Sequence, residues 1–304
     1  MTHGTHHADN DERNDNIKIF INNEFFSRNE AKISVFDSGY LVGDGVWEGI
    51  RLHQGNLVFL EEHLQRLYTA AKATGIEMPF ARDELVRNIH DTLKINDMTD
   101  GVHIRIMLTR GIKKTPSQDP RLTISGPNLV IIAEHKKASM ETKSKGIRLF
   151  TSTFRRGSPD YLDPKLNCHS KLHEVQALMQ ALEAGADEAL MLDIHGFVST
   201  CNATNFFMIK NNEVWTSTGD YCMNGITRSK IIEACMNNNI VCHQKNFSLY
   251  DTYSASEAFV TGTFGGLTPV THIDGKQIGD GQYGKLSKKL SELYQGLIEE
   301  NTNG

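Results

Sequence analysis

The sequence predicts a mixed α/β (α+β) protein of one large or two medium domains. Three observations carry this expectation. The chain has 304 residues, enough to bury a sizeable core and to divide once. Strand-length runs alternate: Val102, Ile104, Ile106 and Leu108 share one face, and His103, Arg105, Met107 and Thr109 share the other. Between such runs lie stripes spaced by three and four. Leu60, Leu64, Leu67, Tyr68 and Ala71 form one, and Leu172, Val175, Leu178, Met179 and Leu182 form another.

Composition narrows the function classes. Hydrophobic residues make up 39% and charged residues 23%, values ordinary for a water-soluble globular chain. The net charge of −5 points to neither a nucleic acid nor an acidic membrane as partner. No apolar run approaches the roughly 18 to 20 residues that cross a bilayer. Residues 1–16 lack the apolar core of a secretory signal and read as a disordered tail. No metal site is expected, despite the tail's three histidines. Five cysteines, Cys168, Cys201, Cys222, Cys235 and Cys242, show no C-x-x-C pairing and suit a reducing cytoplasm.

In chain order, Ile17–Phe26 alternates around Asn22-Asn23 and predicts a hairpin. Glycines 39, 43, 45 and 49 are too dense for a helix and imply tight backbone turns. Gly75 stops the helix that begins near Leu60, and a second helix follows from Asp83 to Lys94. After the Val102–Thr109 strand and a loop at 111–126, strands are expected at Asn128–Glu134 and Ile147–Thr153. They close a first domain over residues 17–153. Residues 154–160 read as a linker, and 161–304 as a second domain. There, Gly185 ends a helix, Ala189–Asp193 is a short strand and His195-Gly196 a turn. A hairpin turns at Asn211-Asn212, and M-N-G-I-T-R-S-K at 223–230 is a loop that becomes a helix. Ala258–Thr263 is a strand, and Leu286, Leu290, Leu293 and Leu297 line a last helix.

Several of these segments resemble the class IV (fold-type IV) aminotransferases. They are I-S-V-F-D-S-G-Y-L-V-G-D-G-V-W-E-G-I-R at 33–51, H-L-Q-R-L at 63–67, G-I-T-R at 225–228, T-G-T at 261–263 and A-D-E-A-L-M-L-D at 186–193. The motifs stand in the family's order from about Ile17 to Leu297. The resemblance implies the two-domain architecture of D-amino acid aminotransferase, a homodimer, and pyridoxal 5′-phosphate (PLP) as cofactor. It implies transfer of an amino group between an amino acid or amine and a 2-oxo acid, most like the branched-chain group. It places Arg66 on the cofactor phosphate, where a planar, permanently charged guanidinium suits the anion. The backbone amides of Ile226 and Thr227, at a helix start, share that phosphate, with the Thr227 hydroxyl and Thr263. Trp47 and Arg105 fall where the family lines its substrate pocket.

Two slots depart from the family. It needs a lysine for the Schiff base and a carboxylate for the pyridine nitrogen. Counted without gaps from Asp193, the lysine slot is Asn167. Lys165 precedes it by two residues and Lys171 follows by four. The glutamate slot of the V-S-E-G-x-x-x-N pattern holds Thr200 and the glycine slot Cys201, while Asn205 keeps its place. Three readings stay open: Lys165 is the Schiff-base lysine, on a strand with Asn167; Lys171 reaches in from the helix start; or no lysine serves. The alternatives to transamination are a PLP-independent lyase or hydrolase using Cys168, His169 or Cys201, and a non-enzymatic binder of a phosphorylated ligand.

Overall fold

The computed structural model describes residues 4–6 and 10–303. His3 and His7 of the expected tail lie outside the described residues. The chain forms two compact units, one of residues 9–137 with 167–171, the other of residues up to 8, 138–166 and 172–304.

The first unit holds a six-stranded antiparallel sheet. Its order is Glu24–Ser27, Lys18–Ile21, Asn128–His135, Val102–Thr109, Gly45–His53 and Asn56–Leu57. The alternation of Val102–Thr109 survives intact, since Val102, Ile104, Ile106 and Leu108 are all buried. Asn22 and Asn23 both have positive φ, 48° and 78°, the conformation a two-residue hairpin needs. Helices Leu60–Thr74 and Arg82–Ile95 belong to this unit. The first ends as expected at Gly75, with φ 64° and its N–H bonded to the carbonyls of Ala71 and Lys72.

The second unit is a nine-stranded mixed sheet. Its order is Cys242–Gln244, Glu213–Thr216, Asn205–Lys210, Glu257–Gly262, Gly266–Ile273, Ile147–Thr151, Glu188–Leu192 and Val198–Cys201, with Lys276–Gln277 paired to Gly266–Ile273. Its longer helices are Leu172–Glu183, Ile226–Asn237 and Lys285–Asn303.

Five expectations need correction. The strand Ile147–Thr151 does not close the first domain. It pairs in parallel with both Gly266–Ile273 and Glu188–Leu192, inside the second sheet. The expected linker is part of the second unit too, because Arg156 donates its N–H to the Leu192 carbonyl at 2.8 Å and its guanidinium to Glu174 at 2.6 Å. The expected tail is structured where it is described. Glu12–Asn16 is a short 3-10 helix, and buried Asn14 exchanges two hydrogen bonds with the backbone of His135. Thr5 is buried and donates its N–H to Glu188 Oε1 at 3.0 Å. Last, helix Leu172–Glu183 buries the small side chains Ala177 and Ala181, against Ala186, Ala189 and Met191. Leu172, Val175, Met179 and Leu182 of the expected stripe are instead exposed, at 71%, 50%, 54% and 52%. Alanines let the helix lie close to its sheet, which leaves the larger apolar side chains on the outer face. In the last helix the buried stripe is Ser287, Leu290, Tyr294 and Ile298, a shift from the expected leucines.

Candidate active site

In the first unit, the segment 167–169 lies against strand Gly45–His53. The Trp47 N–H donates to the Asn167 carbonyl and the His169 N–H to the Gly45 carbonyl, both at 2.9 Å. Side chains double this contact. Asn167 Nδ2 donates to the Trp47 carbonyl at 2.7 Å, and Trp47 Nε1 donates to the Cys168 carbonyl at 3.2 Å. Asn167 is buried, and its Oδ1 has no hydrogen-bond partner. The residue in the lysine slot is therefore a clamp on Trp47. A lysine would carry its donor on a stem too long for this short contact with the Trp47 carbonyl.

Trp47 and Arg105, on neighbouring strands, are in contact. The Arg105 guanidinium carbon sits 4.0 Å from the Trp47 ring centroid, a cation–π contact. Arg105 stands opposite Gly49, two residues along the strand from Trp47. Burial depresses its pKa below the ordinary arginine value.

Arg66 lies on helix Leu60–Thr74 and binds Glu48 in a fork, Nε to Oε1 at 2.6 Å and Nη2 to Oε2 at 2.9 Å. His63 Nδ1 is 2.7 Å from Glu48 Oε2. Glu48 is almost wholly buried. Burial pushes its carboxyl up, but hydrogen bonds from His63 and Arg66 outweigh this and hold it below its ordinary value. The sequence reading assigned Arg66 and gave Glu48 and His63 no role. The glutamate of G-D-G-V-W-E and the histidine three residues before Arg66 were the available signals.

In the second unit, Ile226 and Thr227 open the helix Ile226–Asn237. Its N-cap is Gly225, and no side chain caps it. The first amides of a helix have no intrahelical acceptor and carry the positive end of the dipole, which makes them an anion site. A Cβ on Gly225 would stand 2.3 Å from Asn205 Oδ1. Asn205 is buried, and its Nδ2 donates to the Met223 carbonyl at 2.9 Å and to Thr200 Oγ1 at 3.3 Å. Asn205 thus holds the loop that delivers Gly225, a role the sequence reading did not assign. Thr227 Oγ1 lies 3.4 Å from Tyr294 Oη. Arg228 of the same motif turns inward, with Nη2 on the Ser217 carbonyl at 2.7 Å and Gln244 Oε1 at 3.1 Å. Thr263 follows strand Glu257–Gly262 in a turn and is half-buried.

Thr200, in the glutamate slot, is buried and donates its hydroxyl proton to the Thr204 carbonyl at 2.8 Å. It already accepts from Asn205, so it serves the turn between Cys201 and Asn205. Lys165 departs from the strand position expected for it. It sits on an exposed turn in which the Leu166 N–H donates to the Asp163 carbonyl, and its own N–H donates to Asp163 Oδ1. The Asp-Pro pair at 163–164 favours this turn. Lys171 is half-buried immediately before helix Leu172–Glu183. Of the three residues of the PLP-independent alternative, Cys201 and Cys168 are buried. Burial, with Glu188 nearby, raises the Cys201 thiol well above its ordinary value, so it is no nucleophile at neutral pH. Burial lowers the His169 pKa.

Among the described residues no group of three or more His, Cys, Asp or Glu side chains could hold a metal ion. No helix of the described residues is long and apolar enough to cross a membrane.

The architecture and the site motifs define an aminotransferase class. Residues 45–273 match the model of the amino-transferase class IV family, and the chain belongs to that family. It is 40% identical over 288 residues to branched-chain-amino-acid aminotransferase-like protein 1 of Arabidopsis thaliana, an alignment covering 95% of this chain and 52% of that protein. The chain spans about half the length of that relative and of the similar protein 2 from the same plant. It is 36% identical to a putative branched-chain-amino-acid aminotransferase of Methanocaldococcus jannaschii, over 92% of this chain and 96% of that one. Two solved structures share the fold. Branched-chain amino acid aminotransferase of Escherichia coli superposes with TM-score 0.86 at 26% identity, covering 93% of this chain and 95% of that one. The T.th. branched-chain amino acid aminotransferase with pyridoxamine 5′-phosphate gives 0.88 at 29% identity, with the same coverage.

Proposed function

We propose that this chain is a PLP-dependent aminotransferase that moves an amino group between a branched-chain-like amino acid and a 2-oxo acid. The observation that carries the proposal is the helix start at Gly225–Thr227. Its first amides have no side-chain cap, and buried Asn205, occupying the space a Cβ on Gly225 would need, fixes the glycine so that these amides form a cradle. That cradle fits a phosphate. The T.th. structures, bound to pyridoxamine 5′-phosphate and to N-(5′-phosphopyridoxyl)-L-glutamate, support PLP as its owner. PLP would supply the electron sink of amino transfer. Within the second unit, Ile226 and Thr227 would hold its phosphate, with Thr263. Trp47 and Arg105 would line the substrate side, the guanidinium offering a fork for a carboxylate.

The aldehyde end of the cofactor fits less well. Asn167 is committed to Trp47, so the lysine of this reading is Lys165 or Lys171, and Thr200 replaces a carboxylate by a hydroxyl. The exposed stripe Leu172, Val175, Met179 and Leu182 supports self-association as a homodimer. All five cysteines are free, which supports a reducing, cytoplasmic setting. The test is an amino-transfer assay with added PLP across branched-chain donors of both hands, together with PLP titration of Thr227→Ala. Transfer by the wild type and a weaker PLP affinity in the variant are expected. Neither PLP binding nor transfer would end the proposal.

A further inference from the structure

We propose that Arg228 is a positioning residue of the Gly225–Thr227 cradle: it closes the loop that delivers the cradle and supplies a buried positive charge that the bound anion balances. The inference rests on the reading of this helix start as a phosphate site.

Residues 217–225 run from strand Glu213–Thr216 to helix Ile226–Asn237. Bonds to the sheet hold this loop at three points. Ser217 Oγ donates to the Ser199 carbonyl at 2.7 Å, Ser199 Oγ to the Tyr221 carbonyl at 2.9 Å, and Asn205 Nδ2 to the Met223 carbonyl at 2.9 Å. Arg228 adds the contact that joins the two ends of the loop. It stands in the first turn of the helix, and its Nη2 reaches back to the Ser217 carbonyl at 2.7 Å, where the loop begins. The same nitrogen donates to Gln244 Oε1 at 3.1 Å, on strand Cys242–Gln244. A Cβ on Gly225 would stand 3.7 Å from Arg228 Cβ, so the arginine stem starts beside the N-cap glycine.

The charge on Arg228 is the second observation. The residue is 3% exposed, and its Nε has no hydrogen-bond partner. Both groups it bonds are neutral oxygens, and among the described residues no carboxylate pairs with it. An unpaired buried charge is costly, and a positive one in the first turn of a helix also opposes the dipole. Here it stands one and two residues after Thr227 and Ile226, whose uncapped amides favour an anion. A phosphate held by those amides is the missing counter-charge, and the low dielectric of the interior strengthens the attraction. Arg228 thus fixes the loop by hydrogen bonding and favours the anion by charge.

The test uses the full chain and pyridoxamine 5′-phosphate, which carries the phosphate but no aldehyde and so needs no lysine. Calorimetry gives its dissociation constant for the wild type, Arg228→Met and Arg228→Lys, beside the urea midpoint of each ligand-free chain. Arg228→Met should bind about tenfold more weakly, the size of one charge-assisted hydrogen bond. Arg228→Lys keeps the charge and has donors for the Ser217 carbonyl, so it should recover most of the affinity. Should Arg228→Met not fold, Arg228→Gln is the neutral variant, with weaker binding again expected. A merely structural arginine would lower the urea midpoint and leave the affinity of the folded chain unchanged, which overturns the proposal. Arg228→Lys binding as weakly as the neutral variant overturns it too, because the charge then contributes nothing. A wild type that binds no pyridoxamine 5′-phosphate would overturn the phosphate reading and this proposal together, whereas wild-type binding matched by the neutral variant overturns this proposal alone.

Discussion

Replacing Gly225 by alanine tests how the phosphate cradle is built. The backbone there has φ −60° and ψ 142°, a conformation any residue adopts. Alanine should even stabilise slightly, by about 0.4–1 kcal/mol, through the unfolded state. Sterics oppose this. The new Cβ would stand 2.3 Å from Asn205 Oδ1, closer than any real contact. Asn205 is short and buried, and it is tied to the Met223 carbonyl and to Thr200. Overpacking of this kind costs about 1–3 kcal/mol. If Asn205 swings aside instead, the Met223 carbonyl loses its donor, again at about 1–3 kcal/mol. The steric term wins, and the net destabilisation should be about 1–2 kcal/mol. Urea unfolding measures it as a lower midpoint at unchanged slope. The same experiment in an Asn205→Ala background removes the collision, so the penalty should shrink or reverse sign. A Gly225→Ala protein as stable as the wild type, or equal penalties in both backgrounds, would refute the steric argument.

Other residues give further tests. Glu48→Gln leaves Arg66 facing a neutral amide beside His63, and breaking such a buried pair should cost about 3 kcal/mol in urea unfolding. The same carboxyl makes stability depend on acid. Its folded pKa lies below the ordinary 4.5, so the unfolded chain binds more protons in that window. The stabilisation is complete above pH 4.5 and is lost as pH falls through the folded value, and Glu48→Gln should flatten this part of the stability–pH curve. Asn167→Ala removes the bond to the Trp47 carbonyl but also an unsatisfied Oδ1, so its cost should be small, about 0.5–1.5 kcal/mol, with a change in Trp47 fluorescence.

Much of the fold was legible where one physical rule acted alone. The alternation of Val102–Leu108 and the paired asparagines at 22–23 and 211–212 appear in the structure as read. The strand Ile147–Thr151 was misplaced because a short apolar run carries no sign of which sheet it joins, and its partners lie far along the chain. Helix Leu172–Glu183 was located correctly but given the wrong inner face. Periodicity finds the larger apolar side chains, while close packing selected the alanines. Around the candidate site, the helix start at Ile226 and the helix that carries Arg66 were legible as patterns, and the contact between Trp47 and Arg105 was not. Glu48 under Arg66 and Asn205 behind Gly225 were not, because their roles depend on contacts across 15 to 20 residues that no local pattern encodes. Lys165 was expected on a strand. The Asp-Pro turn before it placed it on the surface instead.

Under the proposed function, the Gly225–Thr227 cradle serves PLP-dependent amino transfer. Its most direct measurement is PLP titration of the purified chain, followed by absorbance, borohydride reduction and peptide mapping, with amino transfer from a branched-chain donor assayed in the same samples. Saturable binding that Thr227→Ala weakens, a label on Lys165 or Lys171, and a new amino acid from the added 2-oxo acid are expected. Saturable binding with no labelled lysine and no transfer would contradict the enzymatic reading and leave a binder of phosphorylated ligands. No binding at all would contradict the cradle itself.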